Sequence, residues 1–166
     1  MLDVDDVKIS DSAAILHYVG ARTGLLPSDP LDLARVVEIG MLIEQIYSGD
    51  GAACNFASTM RIENEEDKKF ARQGRFTDTV RYYLGVVNKI VGASANGFAV
   101  GGKLTLADLS IHSVISHMLS KDIDYFDDAF IAKEFPALVQ IRDNVNAIPA
   151  VAAYNASGKG WPTSSA

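Results

Sequence analysis

Few residues in this 166-residue chain have the type and spacing to do chemistry. The most suggestive pair is Asp11-Ser12, which opens the apolar-periodic run Ala13-Ala14-Ile15-Leu16-His17-Tyr18-Val19. A helix N-terminus leaves its first amides unpaired and carries a partial positive charge, so a serine hydroxyl there makes a corner able to hold a carboxylate or a phosphate. Plain N-capping is the other use of the same residues. His112 and His117 stand five apart, roughly 140° around a helix, and do not share a face as a metal pair would. They are read as satisfied core or groove histidines, and His17 as a surface residue. The single cysteine, Cys54, has no second thiol and is read as a packed small residue. No His/Cys/Asp/Glu spacing suits a metal, and no glycine-rich phosphate loop or nucleophile elbow is present. The sequence therefore assigns no metal and no catalytic residue.

The elements that would position Asp11-Ser12 come on either side. Leu2, Val4, Val7 and Ile9 alternate with polar residues around Asp5-Asp6, the pattern of a short hairpin with a two-residue turn. Two strands alone are marginal in water, so this hairpin should lean on a helix or lack partners. The helix after Asp11-Ser12 ends at Gly20 or Gly24. Leu25-Leu26-Pro27-Ser28-Asp29-Pro30 then reads as a boundary between substructures.

From Pro30 the pattern is helical. Leu33, Val36, Val37, Met41 and Glu44 follow one helical repeat, with Glu44 marking where a polar group enters the apolar stripe. Asn64-Glu65-Glu66-Asp67 opens a second long helix carrying Phe76, Val80, Tyr83, Leu84, Val87 and Val91, closed by Gly92. Its Lys68, Lys69, Arg72, Arg75 and Arg81 form a basic face read as solvated. A loop over residues 93–102 leads to Thr105 and Asp108, spaced as a capping box. No Asp, Glu, Lys or Arg occurs from Leu109 through Ser120, which marks a helix without a water-facing side. Pro136 and Pro149 each open a closing helix. The tail from Ser157 reads as loose, with Trp161 placed to dock on the core.

The composition, 48% hydrophobic and 22% charged, is that of a folded soluble domain. A net charge of −6 argues against nucleic acid or anionic lipid as a main partner. No apolar run is long enough to span a bilayer and Met1–Asp6 has no signal-peptide pattern, so the expected location is the cytoplasm.

Together these stretches resemble the cytosolic glutathione transferase family, with a sigma-like flavour. Met1 to Tyr18 is similar to the family's strand, turn, strand and glutamine- or glutamate-serine motif leading into an Ala-Ile helix. Gly24-Leu25-Leu26-Pro27 followed by Leu33-Ala34-Arg35-Val36 is similar to its interdomain link and the first helix of its all-helical half. Gly102 to Asp108 is similar to its buried capping box, and Phe135-Pro136 to Tyr154 to its closing helices.

The resemblance implies a mainly all-α chain. Residues 1–26 would be a hairpin-plus-helix remnant of a thioredoxin-like glutathione-binding domain, 27–30 a linker, and 31–166 the family's helical C-terminal bundle. It also implies glutathione as co-substrate, held through its γ-glutamyl end by Ser12 and Asp11, a hydrophobic second substrate, and a homodimer. The family's thiolate-activating Tyr, Ser or Cys would precede the position of Met1, and Tyr18 does not match it. The expectation is a glutathione transferase relative, conjugating or isomerising hydrophobic electrophiles in its complete form and with little or no activity as it stands. The alternative is a ligand- or protein-binding helical module without turnover.

Overall fold

The computed structural model describes residues 1–49, 54–92 and 97–157. Strands β1 (Leu2–Val4) and β2 (Val7–Ile9) pair antiparallel, Leu2 opposite Ile9 and Val4 opposite Val7. Asp5 and Asp6 between them both have positive φ, 47° and 68°. That is the turn whose twist matches a hairpin, and aspartate is among the few residues with a Cβ that tolerate it. Among the described residues no third strand joins the pair. Helix α1 (Ser12–Thr23) follows and ends at Gly24, the later of the two expected stops, with φ of 76° and its amide bonded to the Gly20 carbonyl.

The connector packs onto the helical bundle. Leu25 and Leu26 lie against the core, and the Leu25 carbonyl accepts from the Leu106 amide at 3.0 Å. Gly20 is buried where a Cβ would come within 2.7 Å of the Leu106 side chain. The absence of that carbon is what lets α1 sit directly against Leu106.

Asp29 caps α2 (Pro30–Tyr47), its carboxylate accepting from the Leu31 and Asp32 amides at 2.9 Å each. The buried residues of this helix are Val36, Ile39, Ile43 and Ile46. Met41 and Glu44, expected on the core stripe, are exposed, because the apolar sequence of α2 divides between two faces. A short α3 (Phe56–Met60) precedes α4 (Glu65–Ala71), which starts at Asn64 as the acidic cluster predicts.

The single long helix expected after Asn64 is interrupted. A π turn over Arg72–Phe76 separates α4 from α5 (Thr77–Val91), and the Thr77 hydroxyl donates to the Arg72 carbonyl at 2.7 Å. Arg72 does not belong to the solvated basic face: it is 3% exposed. Its guanidinium donates to Thr59 Oγ1 at 3.3 Å and to the Asp124 carbonyl at 3.1 Å, and lies 5.8 Å from the Phe56 ring centre. These partners satisfy a buried cation that an uninterrupted helical surface pattern would have left in water. Lys69, Arg75 and Arg81 are exposed as read.

At the centre, α6 (Leu106–Leu119) packs between α2 and α8, and none of its residues is exposed. Its charge-free sequence has this burial as its reason. Thr105 caps it in a capping box with Asp108. A further helix, α7 (Ala129–Glu134), was not evident from the sequence pattern. It leads to α8 (Pro136–Asn146), which buries Leu138, Ile141 and Val145, and to α9 (Pro149–Ala156), where Tyr154 is exposed. Cys54 is buried, as expected. Asp50, Gly51, residues 93–96 of the predicted loop and Trp161 lie outside the described residues.

Candidate functional site

A cavity of about 620 Å3 opens where α1, α2 and α6 meet. Helix α1 brings Asp11, Ser12, Ala13, Leu16 and His17 to it; α2 brings Val36, Gly40, Met41, Ile43, Glu44 and Tyr47; α6 brings Leu106, Leu109, Ser110 and Ser113. On each helix these positions recur at steps of three and four, which is why one face of each supplies the wall. The volume lies within the range of small-molecule sites.

Asp11 and Ser12, the two site residues picked out in the sequence, are both on this wall. Asp11 is the N-cap of α1: its Oδ1 accepts from the Ala14 amide at 2.9 Å, and its carbonyl accepts from the Ile15 amide at 3.0 Å. Capping and cavity lining thus coexist at this residue. The cap leaves the Ser12 and Ala13 amides, together with the Ser12 hydroxyl, at the positive end of a 12-residue helix and beside the cavity.

His17 corrects its surface reading. It is half-buried and lines the cavity, with Nδ1 2.7 Å from the Ala13 carbonyl. A carbonyl only accepts, so Nδ1 carries the hydrogen and Nε2 is the basic nitrogen of the neutral ring. The other two histidines have partners, as expected. His112 Nε2 lies 2.8 Å from Asn146 Oδ1, and His117 Nδ1 lies 3.3 Å from the Tyr47 hydroxyl.

Tyr47 lines the cavity and belongs to an aromatic cluster. Its ring stacks on His117 at 5.7 Å with an 8° interplanar angle, and Phe56 meets the same imidazole edge-on at 5.2 Å. Burial drives the His117 pKa below its ordinary value, against a weaker opposing pull from Asp122. The neutral imidazole can accept a hydrogen bond from the Tyr47 hydroxyl at Nδ1. Burial, and then the negative charge of Glu44, push the Tyr47 phenol well above its ordinary pKa. Glu44 itself accepts from the Ser48 hydroxyl in the last turn of α2.

Sequence reasoning missed Gly40, Tyr47, Ser110 and Ser113. The available signal was the spacing 36, 40, 44, 47 on α2, a second face interrupted by a glycine and a carboxylate that core packing would not select. Among the described residues no group of three or more His, Cys, Asp or Glu could hold a metal ion, and no helix is long and apolar enough to cross a membrane.

The comparisons with known proteins agree on one family. A family model described as glutathione S-transferase, C-terminal domain, matches residues 53–158. The chain is 26% identical to S-crystallin SL11 of Nototodarus sloanii over 159 residues, covering 93% of this chain and 70% of that protein. It is 24% identical to probable glutathione S-transferase gst-36 of Caenorhabditis elegans over 163 residues, covering 98% and 75%. A crystal structure of a nematode-specific glutathione S-transferase from Caenorhabditis elegans superposes with a TM-score of 0.78 at 22% identity, covering 96% of this chain and 72% of that one. Monomeric Na-GST-3 of the hookworm Necator americanus gives 0.74 at 22% identity, covering 93% and 71%.

Proposed function

The chain belongs to the glutathione S-transferase family, and from that premise we propose that it binds glutathione at the start of α1 and an apolar second ligand in the adjoining cavity. The observation that carries this is the placement of Ser12 and Asp11 on the wall of the cavity between α1, α2 and α6. The Ser12 hydroxyl and amide hold the γ-glutamyl carboxylate at the positive helix end. The Asp11 carboxylate, with Oδ1 on the Ala14 amide, faces the ammonium of the same glutamyl group.

We assign residues 1–26 to the glutathione-binding part, 27–30 to the link and 31–166 to the helical domain. The reaction class this site fits is conjugation or isomerisation of hydrophobic electrophiles with glutathione, in a cytoplasmic homodimer, with turnover by this chain at background. The phenol on the cavity wall supports that view: the Tyr47 hydroxyl lies 3.3 Å from His117 Nδ1, so its partner is a core imidazole rather than a ligand. The same observation favours, as second reading, a helical module that binds ligands without turnover.

The test is the melting temperature of the chain with glutathione at millimolar concentration, paired with conjugation to chlorodinitrobenzene. Binding to the native state raises the melting temperature through linkage. A rise that is lost in Ser12→Ala, with conjugation at background, supports the proposal. No rise removes the glutathione site, and turnover lost on Ser12→Ala removes the claim of impairment.

A further inference from the structure

The buried Arg72 guanidinium meets two oxygen acceptors inside the protein, Thr59 Oγ1 and the Asp124 carbonyl. On its remaining edge Nη2 donates to the Met60 sulfur at 3.2 Å. A thioether is a weak acceptor, so the cation is served least well on that side. Met60 is the last residue of α3 and is 60% exposed. One side chain thus joins solvent to a buried positive charge. The other methionines do not share this arrangement. Met118 is buried; Met1 and Met41 are exposed, but among the described residues no hydrogen bond reaches either sulfur.

We propose that Met60 is a redox modification site: hydrogen peroxide converts it to the sulfoxide, and the new oxygen accepts from Arg72 Nη2. The sulfur lone pair attacks one oxygen of the peroxide, so that an S–O bond forms and the O–O bond breaks. The proton on the transferred oxygen passes to the other oxygen, which leaves as water. Sulfur loses two electrons and the peroxide gains them. A sulfoxide oxygen carries partial negative charge and is a strong acceptor, so a charge-assisted hydrogen bond replaces a weak one. Oxidation of a methionine ordinarily makes an apolar side chain polar and disrupts its packing. Here the polar product meets a cation already in place. The result is a clasp: oxidation ties the end of α3 to the start of the π turn, and a methionine sulfoxide reductase releases it. Neither Met60 nor Arg72 lines the cavity, so the clasp is independent of the glutathione reading.

The test treats the full chain with hydrogen peroxide, places the added oxygen by tandem mass spectrometry and reads the melting temperature. Met60 takes up one oxygen while Met118 does not. The oxidised wild-type chain melts about 2 °C above the untreated one. Met60→Leu, which keeps Met1, Met41 and Cys54 and is treated identically, gains nothing. Met60→Gln puts an amide oxygen where the sulfoxide oxygen would be, and it melts above Met60→Leu with no oxidant present. Gln and Leu have close helix propensities, so the difference reads the contact with Arg72. That difference disappears in Arg72→Met, which keeps an unbranched apolar stem and has no donor. Where Arg72→Met does not fold, the peroxide shift and the Gln-to-Leu difference decide by themselves. A Met60 that stays unoxidised while Met1 and Met41 are converted overturns the proposal. So does a melting temperature that falls as Met60 is oxidised, or a Met60→Gln chain that melts no higher than Met60→Leu. A methionine that is merely exposed would take up oxygen without any gain in stability.

Discussion

At the start of α6 the Asp108 carboxylate is wholly buried and accepts from the Ala99 amide at 2.7 Å, the Thr105 amide at 2.8 Å and the Thr105 hydroxyl at 2.9 Å. At the start of α1 the Asp11 carboxylate is exposed and accepts from one amide, and Ser12 beside it is exposed as well. Both starts combine an aspartate with a hydroxyl, and local chemistry does not separate them. Burial does. Where every donor is met inside the protein, the group holds the fold and has nothing left for a ligand. Where donors remain at a cavity, the same materials can bind.

The comparison is sharpest under deletion. Asp108→Ala leaves two buried amides and a hydroxyl without acceptors and is expected to destabilise the chain by roughly 2–4 kcal/mol, more than a surface cap is worth. Urea unfolding checks this, and a loss below that of Asp11→Ala would break the contrast. Next in size is a pH effect confined to the core behind the cavity. The His117 pKa is lowered in the folded state by burial, so the unfolded chain binds the proton more readily. The stability this group contributes is present above the ordinary value of 6.5 and is lost as the pH falls below it. Unfolding midpoints should therefore drop between pH 7.5 and 5.5, and His117→Phe, which keeps a ring against Tyr47 and Phe56, should flatten the drop. Asp11→Ala, removing an exposed cap, is expected to cost about 1 kcal/mol in the same urea assay. Ser12→Ala is expected to change stability by less than about 0.5 kcal/mol while abolishing the glutathione-induced melting shift.

How much of this was legible in the sequence follows the same division. The hairpin, the cap at Asp11, the proline start of α2 and the buried α6 are local patterns, and each is where its residues predict. Asp108 was recognised as a cap, but its third donor, the Ala99 amide nine residues away, depends on a loop path that no spacing encodes. Arg72 was misplaced because a helical periodicity cannot show a π turn, nor that Thr59 and Asp124 would be waiting for its guanidinium. The cavity was half legible. Asp11 and Ser12 announce themselves by type, whereas His17, Gly40 and Tyr47 acquire meaning only when three helices separated in sequence converge.

The most direct measurement is an amide-resolved NMR titration of the chain with glutathione. The account predicts that the Ser12 and Ala13 amide signals shift in a saturable way, while those of Thr105 and Asp108 stay in place. Signals at Ser12 and Ala13 that do not move at millimolar glutathione, or shifts as large at Thr105 and Asp108, would contradict it.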